Sequence, residues 1–163
     1  MTPGFLFEPA IYKAQDIHPE VNFVLLDGSP QDGNYQDFRI EKNVYSVFYA
    51  EEEAGFLAGY GAVKEGYTNL GFMGGMAVPA VVKFGYGFVQ GVNYAAKEFG
   101  IKNVKVDYNY IGGFNPSPET QTKAASWYRN GVQVIFVAGG GAGNSVMSAA
   151  EQNNGYVIGV DVD

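Results

Sequence analysis

Val132-Gln133-Val134-Ile135-Phe136-Val137-Ala138-Gly139-Gly140-Gly141-Ala142-Gly143-Asn144-Ser145 is the stretch whose reading decides the fold. An apolar, β-branched run breaks into glycines and passes into Val146-Met147-Ser148-Ala149-Ala150-Glu151, which reads as a helix. A second apolar run, Tyr156-Val157-Ile158-Gly159-Val160, follows and ends on Asp161. Strand, glycine turn, helix and strand make a βαβ unit whose strand ends face one edge. In open α/β sheets ligands bind at that edge.

The same alternation extends towards the N-terminus. Ser117-Pro118-Glu119 starts a helix, with serine as N-cap, proline at the first helical position and an acid next. Ala124, Trp127 and Tyr128 form its inner face, and Asn130-Gly131 ends it. Residues 104–110 place Val104, Val106, Tyr108 and Tyr110 on one face of a half-buried strand. A long helix over residues 79–99 precedes it, with Val82, Phe84, Phe88, Val92, Ala95 and Phe99 apolar. Its Gly85, Gly87 and Gly91 each cost about 1 kcal/mol against alanine in an isolated helix, so close backbone approach is expected there. Further upstream lie a strand over 69–73 and a helix opened by Glu51-Glu52-Glu53, with Phe56, Leu57, Tyr60 and Val63 as its apolar face. Gly55 and Gly59 of that helix are read as close packing against a sheet. Strands over 43–48 and 22–26, a polar exposed loop over 31–42 and a helix over 8–17 complete the reading. The fold class is α/β, parallel sheets with helices on both faces.

Composition narrows the function. The chain has 163 residues, enough for one domain or pieces of two. A net charge of −7 without a Lys/Arg cluster argues against nucleic acid and anionic membrane surfaces. With no cysteine, disulfides and thiolate metal sites are ruled out. The single histidine, His18, precedes Pro19 where the first helix should stop, and reads as a solvated side chain near a helix dipole. One histidine leaves no material for a Ser-His-Asp triad or an HExxH site. Ser145 and Ser148 have no base partner in sight, and no spacing forces Asp27, Asp161 or Asp163 together as an acid–base pair. No catalytic residue, metal or cofactor is assigned, and the chain reads as a binder.

Candidate binding residues follow from the strand ends. Asp161 can accept two hydrogen bonds from the vicinal hydroxyls of a sugar; a solvated turn aspartate is the alternative. Asp27 ends a different strand and is a similar candidate. Phe114, in Gly112-Gly113-Phe114-Asn115-Pro116, sits on a loop where it can stack on a planar ring or cap the core. The glycine turn, with Gly139 and Gly140, admits two readings. One is a nucleotide-cofactor enzyme with a Rossmann-like fingerprint, although its spacing departs from GxGxxG; the other is a tight strand-to-helix turn.

Taken in order, the motifs carry a family resemblance. They include Gly4-Phe5-Leu6-Phe7, Phe23-Val24-Leu25-Leu26-Asp27 and Glu52-Glu53-Ala54-Gly55-Phe56-Leu57-Ala58-Gly59-Tyr60. Gly71-Phe72-Met73-Gly74-Gly75, Gly87-Phe88-Val89-Gln90-Gly91, the glycine turn and Ile158-Gly159-Val160-Asp161-Val162-Asp163 follow. This set resembles the basic membrane protein family, the purine nucleoside receptor-like lipoproteins, over essentially the whole chain. The resemblance implies a type I periplasmic-binding-protein-like fold, incomplete at both ends, with residues 1–66 in lobe one, a crossover near Gly66-Tyr67-Thr68, and residues 67–163 in lobe two. It also implies an extracytoplasmic, membrane-anchored receptor that delivers a nucleoside to an ABC permease without catalysis. Asp161 would hold the ribose and Gly139 and Gly140 would line the cleft; Phe114 and Asp27 are further candidates. The family's lipobox cysteine and first strand have no counterpart here, and an incomplete sheet is expected to self-associate through its edges. A sensor or regulator built on the same fold is a further reading.

Overall fold

The fold comes from a computed structural model that describes residues 1–160. It divides into two compact units, Met1–Tyr49 and Ala50–Asp163.

In the first unit, β1 (Thr2–Pro3), a 3-10 turn (Phe5–Phe7), α1 (Glu8–Ile17), β2 (Phe23–Leu26) and β3 (Val44–Val47) follow in order. The strands form a parallel sheet in the order β1-β2-β3, with Leu25 opposite both Thr2 and Ser46. Pro9 occupies the first turn of α1, where its missing N–H breaks no helical bond. The helix stops at His18, whose side chain is more than half exposed and lies 3.7 Å from Glu20. Ile11, Leu25 and Val44 supply the buried apolar core of this unit. Ile17, the last residue of α1, is exposed.

The polar stretch over residues 31–42 is more firmly held than a solvated loop, because α1 buries two polar side chains beneath it. The Glu8 carboxylate accepts the Ser29 N–H at 3.0 Å and the Gln31 amide at 3.1 Å. Gln15 donates to the Arg39 carbonyl at 3.1 Å and accepts the Glu41 N–H at 3.1 Å. A buried polar group left unpaired costs about 1–3 kcal/mol, so these partners fix the path of the loop. On its outer side, Arg39 pairs with Asp16 at 2.5 Å and Glu41 at 2.8 Å. The hydrogen bond from Arg39 holds the Asp16 carboxyl below its ordinary range.

The second unit contains α2 (Glu51–Lys64), β4 (Asn69–Gly74), α3 (Pro79–Glu98), β5 (Lys105–Tyr110), α4 (Pro118–Arg129), β6 (Val134–Ala138), α5 (Gly143–Asn153) and β7 (Tyr156–Ile158). Its four strands are all parallel, in the order β5-β4-β6-β7. β4 and β6 are central and buried along most of their length, as their continuous apolar runs require. Phe72, Phe88 and Phe136 meet on one face of the sheet, with ring centroids 5.2–6.4 Å apart. Met73, Ile135 and Val137 pack on the other face against Ala124, Tyr128, Val146 and Ala149. Helices therefore cover both faces of a parallel sheet. Ser117 caps α4 as expected, its hydroxyl accepting the Thr120 N–H at 3.1 Å.

α2 is rotated from the orientation expected of its apolar residues. Gly55, Gly59, Ala62 and Val63 are buried, whereas Leu57 is 68% exposed. The cause lies in α3. A Cβ at Gly55 or Gly59 would collide with the carbonyl oxygen of Phe84 or Phe88, and one at Gly87 or Gly91 with that of Glu52 or Phe56. The glycines thus seat two helices backbone to backbone, side by side and running in the same direction, rather than a helix on a sheet. Close Cα–H···O approach of this kind adds a small favourable contribution where four glycines permit it. α2 packs with the second unit, which begins at Ala50.

Candidate functional site

The second unit gathers three segments at the C-terminal edge of its sheet: residues 74–78 at and after the end of β4, residues 111–117 after β5, and residues 139–145 after β6 and into the start of α5. Hydrogen bonds tie them together. Gly75 N–H donates to the Ala138 carbonyl at 2.9 Å, and Ile111 and Gly112 N–H donate to Gly74 and Gly75 at 2.7 and 2.8 Å. Ala142 N–H donates to the Phe114 carbonyl at 2.9 Å, and Ser117 N–H to Ser145 Oγ at 3.0 Å.

Phe114 lies at the centre of this arrangement. Its ring packs so closely over Gly75 that a Cβ there would overlap it. A Cβ at Gly140 would lie 3.7 Å from that of Phe114, and one at Gly141 only 3.1 Å from its carbonyl oxygen. Gly140 has φ +52, a left-handed conformation that disfavours side chains. Phe114 remains half-buried. Backbone seating of this kind fixes an aromatic ring at a sheet edge.

Three sequence-predicted residues, Gly139, Gly140 and Phe114, come together here. Gly139 makes only ordinary contacts, 3.5 Å and longer, so packing does not require a glycine there. Asp27 belongs to the first unit. It ends β2 as expected, its N–H donating to the Val47 carbonyl at 2.7 Å with φ +56. Asp161 lies outside the described residues. β7 runs alongside β6, with Ile158 opposite Phe136.

Sequence reading missed Gly75 and Gly141. Both stand in glycine-rich turns, but only the fold shows which side chain they accommodate. Ser145, a nucleophile candidate by residue type alone, is buried and accepts the Ser117 N–H, which joins the start of α4 to α5. Gly141 accommodates the 114–116 loop, and the Ala142 N–H is spent on Phe114, so both are explained without a pyrophosphate. Among the described residues, no group of three or more His, Cys, Asp or Glu side chains could hold a metal, and no helix is long and apolar enough to cross a membrane.

Parallel α/β units that gather glycine turns and an aromatic side chain at one sheet edge form a class in which ligands, where they bind, bind at that edge. Within that class, the chain belongs to the Bmp family, described as ABC transporter substrate-binding protein PnrA-like, which matches residues 1–163. It is 33% identical to Basic membrane protein D of Borreliella burgdorferi over 98% of this chain and 45% of that protein. It is 34% identical to the ABC transporter nucleoside-binding protein BmpA of Lactococcus lactis over 98% of this chain and 44% of that protein. The chain thus spans about half the length of the curated relatives it matches. Among solved structures, an ABC transporter solute-binding protein from Aeropyrum pernix is 25% identical, with a TM-score of 0.76 over 96% of this chain and 44% of the other. A transcriptional activator from Bacillus halodurans shares the fold at 20% identity and a TM-score of 0.72, covering 96% of this chain and 50% of the other.

Proposed function

We propose that the chain is part of an extracytoplasmic, membrane-anchored solute-binding receptor of an ABC importer, and that it binds a purine nucleoside without catalysis. One observation carries the reading: Phe114 is seated on Gly75, Gly140 and Gly141 at the sheet edge, where a fixed aromatic ring can stack on a planar base. None of the three converging loops, residues 74–78, 111–117 and 139–145, carries a lysine or arginine. A phosphate there would lack a counter-charge, whereas a neutral nucleoside needs none. Asp161 supplies the carboxylate for the ribose hydroxyls, Gly139 and Gly140 line the wall, and Asp27 is a candidate from the first unit. The permease is the partner that receives the ligand. The name of the Lactococcus relative, a nucleoside-binding protein, supports the same ligand class.

Calorimetric titration of the full-length receptor carrying this chain with inosine, guanosine, adenosine and NAD tests the proposal. Binding of at least one nucleoside, lost in Asp161→Ala, is the expected result. Binding of NAD alone would overturn it in favour of a nucleotide-cofactor domain.

A further inference from the structure

The outward face of α2 has a pattern that nucleoside binding does not use. Glu53, Leu57, Tyr60 and Lys64 recur at helical spacing and form one stripe, opposite the glycines that bury the helix against α3. Leu57 is 68% exposed, Tyr86 beside it on α3 is 63% exposed, and Tyr94, packed on Phe56 and Tyr60, is 57% exposed. Phe56, Tyr60, Tyr94 and Phe99 form an aromatic cluster with ring centroids 5.7–6.3 Å apart. Between the helices, Phe56, Leu57 and Tyr86 line a groove of about 400 Å³ with Glu52 and Glu53 on its rim. A contiguous apolar face with a charged rim marks an interaction surface.

The charge pattern identifies the occupant. Lys83 pairs with Glu51 at 3.0 Å and approaches Glu52 at 3.8 Å, which engages those charges within one molecule. Glu53 and Lys64 have no ion-pair partner among the described residues. The stripe runs acid, apolar, apolar, base, and is symmetric about its midpoint. Glu53 lies as far before Leu57 as Lys64 lies after Tyr60. An isologous contact requires this arrangement, because each residue must meet its complement on an identical surface. With two copies of α2 antiparallel, Leu57 of one meets Tyr60 of the other, and Glu53 meets Lys64 at both ends. A basic partner of another kind would need no such symmetry. We infer that this face of α2 and α3 is a self-docking surface at which two copies of the protein pair about a two-fold axis.

Sedimentation velocity over a concentration series tests the inference with the wild-type protein and exposed-face variants, whose folding is checked by circular dichroism. The wild type is expected to form a reversible dimer that weakens as salt rises. Glu53→Lys or Lys64→Glu should each raise the dimer dissociation constant roughly tenfold, because two symmetric exposed pairs change from attraction to repulsion. The double variant, which restores opposite charges across the axis, should recover the wild-type constant. Leu57→Asp should abolish association. A protein that stays monomeric into the submillimolar range overturns the inference, including one whose groove instead takes a basic amphipathic peptide. So does a dimer indifferent to Leu57→Asp, or one the double charge swap fails to rescue.

Discussion

Phe114 packs on backbone: Gly75 lies beneath its ring, and Gly140 and Gly141 lie beside it. Truncation therefore removes a stacking surface with little disturbance to the core. Phe114→Ala is expected to weaken nucleoside binding by about 1–3 kcal/mol, the usual worth of one base–aromatic stack, while Phe114→Trp retains most of it; calorimetry reads both. The sequence marked Phe114 as a loop aromatic after a strand but not the glycine beneath it, because Gly75 meets it only through the pairing of β4 with β5 and β6. Tyr128 illustrates a buried hydroxyl. It donates to the Tyr156 carbonyl at 2.8 Å, and burial raises its pKa above the ordinary 10.0. Tyr128→Phe should cost about 1 kcal/mol at neutral pH in denaturant titration, the net worth of one hydrogen bond. The sign of the pH effect follows from the raised value. Below pH 10 both folded and unfolded states keep the proton, and the full contribution is present. Above pH 10 the unfolded state ionises first, and the wild type loses stability as pH rises towards its folded pKa. The gap between wild type and Tyr128→Phe should therefore narrow above pH 10.

At the scale of elements, the α2–α3 pair turns on where glycine is required. Gly59→Ala gains roughly 1 kcal/mol of helix propensity, but its methyl would meet the Phe88 carbonyl and the Val92 N–H, the latter at 3.0 Å, both in rigid backbone. Overpacking of this kind typically costs about 1–3 kcal/mol, so a net fall in melting temperature is expected. Gly61, on the same helix, has nothing within 4 Å of where an alanine methyl would stand, and Gly61→Ala should raise the melting temperature by the propensity term alone. A pair of thermal melts reads both; equal effects at the two positions would contradict the interlock. The helices and strands themselves were largely legible, because β4 and β6 carry unbroken apolar runs and α4 carries its Ser117-Pro118-Glu119 start. The inner face of α2 was not. Hydrophobic spacing weights Leu57 and Tyr60, whereas the buried face is made of residues with almost no side chain. The loop over 31–42 is mostly exposed, as the sequence indicates; its anchors, Glu8 and Gln15, were not legible because they are polar side chains that the fold buries. On one strand end the sequence was informative in part, placing Asp27 at the end of β2 but giving no sign of its left-handed backbone.

At the scale of the whole molecule, charge bears on the ligand proposed for the site. A net charge of −7 gives the protein a field that repels anions, and the three loops around Phe114 add no cation to offset it. The nucleoside proposed for this site, being neutral, is not repelled by that field. Because a ligand that binds only the folded state stabilises it by mass action, about 2.7 kcal/mol at a hundredfold excess over the dissociation constant, a thermal melt reports the preference directly. Inosine is expected to raise the melting temperature of the full-length receptor by several degrees, with little dependence on ionic strength. Inosine monophosphate at the same concentration should give a smaller shift that recovers partly in high salt, as screening relaxes the repulsion. Asp161→Asn, which keeps the shape but removes the charge-assisted bonds to the ribose, should reduce the inosine shift without changing the melt of the unliganded protein. The chain of residues 1–163, which spans about half the length of its relatives, should respond less than the full-length receptor. An equal or larger shift with the monophosphate would reverse the argument. It would mean that a cation from elsewhere reaches the ligand, and that the acidic field of this chain does not set the choice.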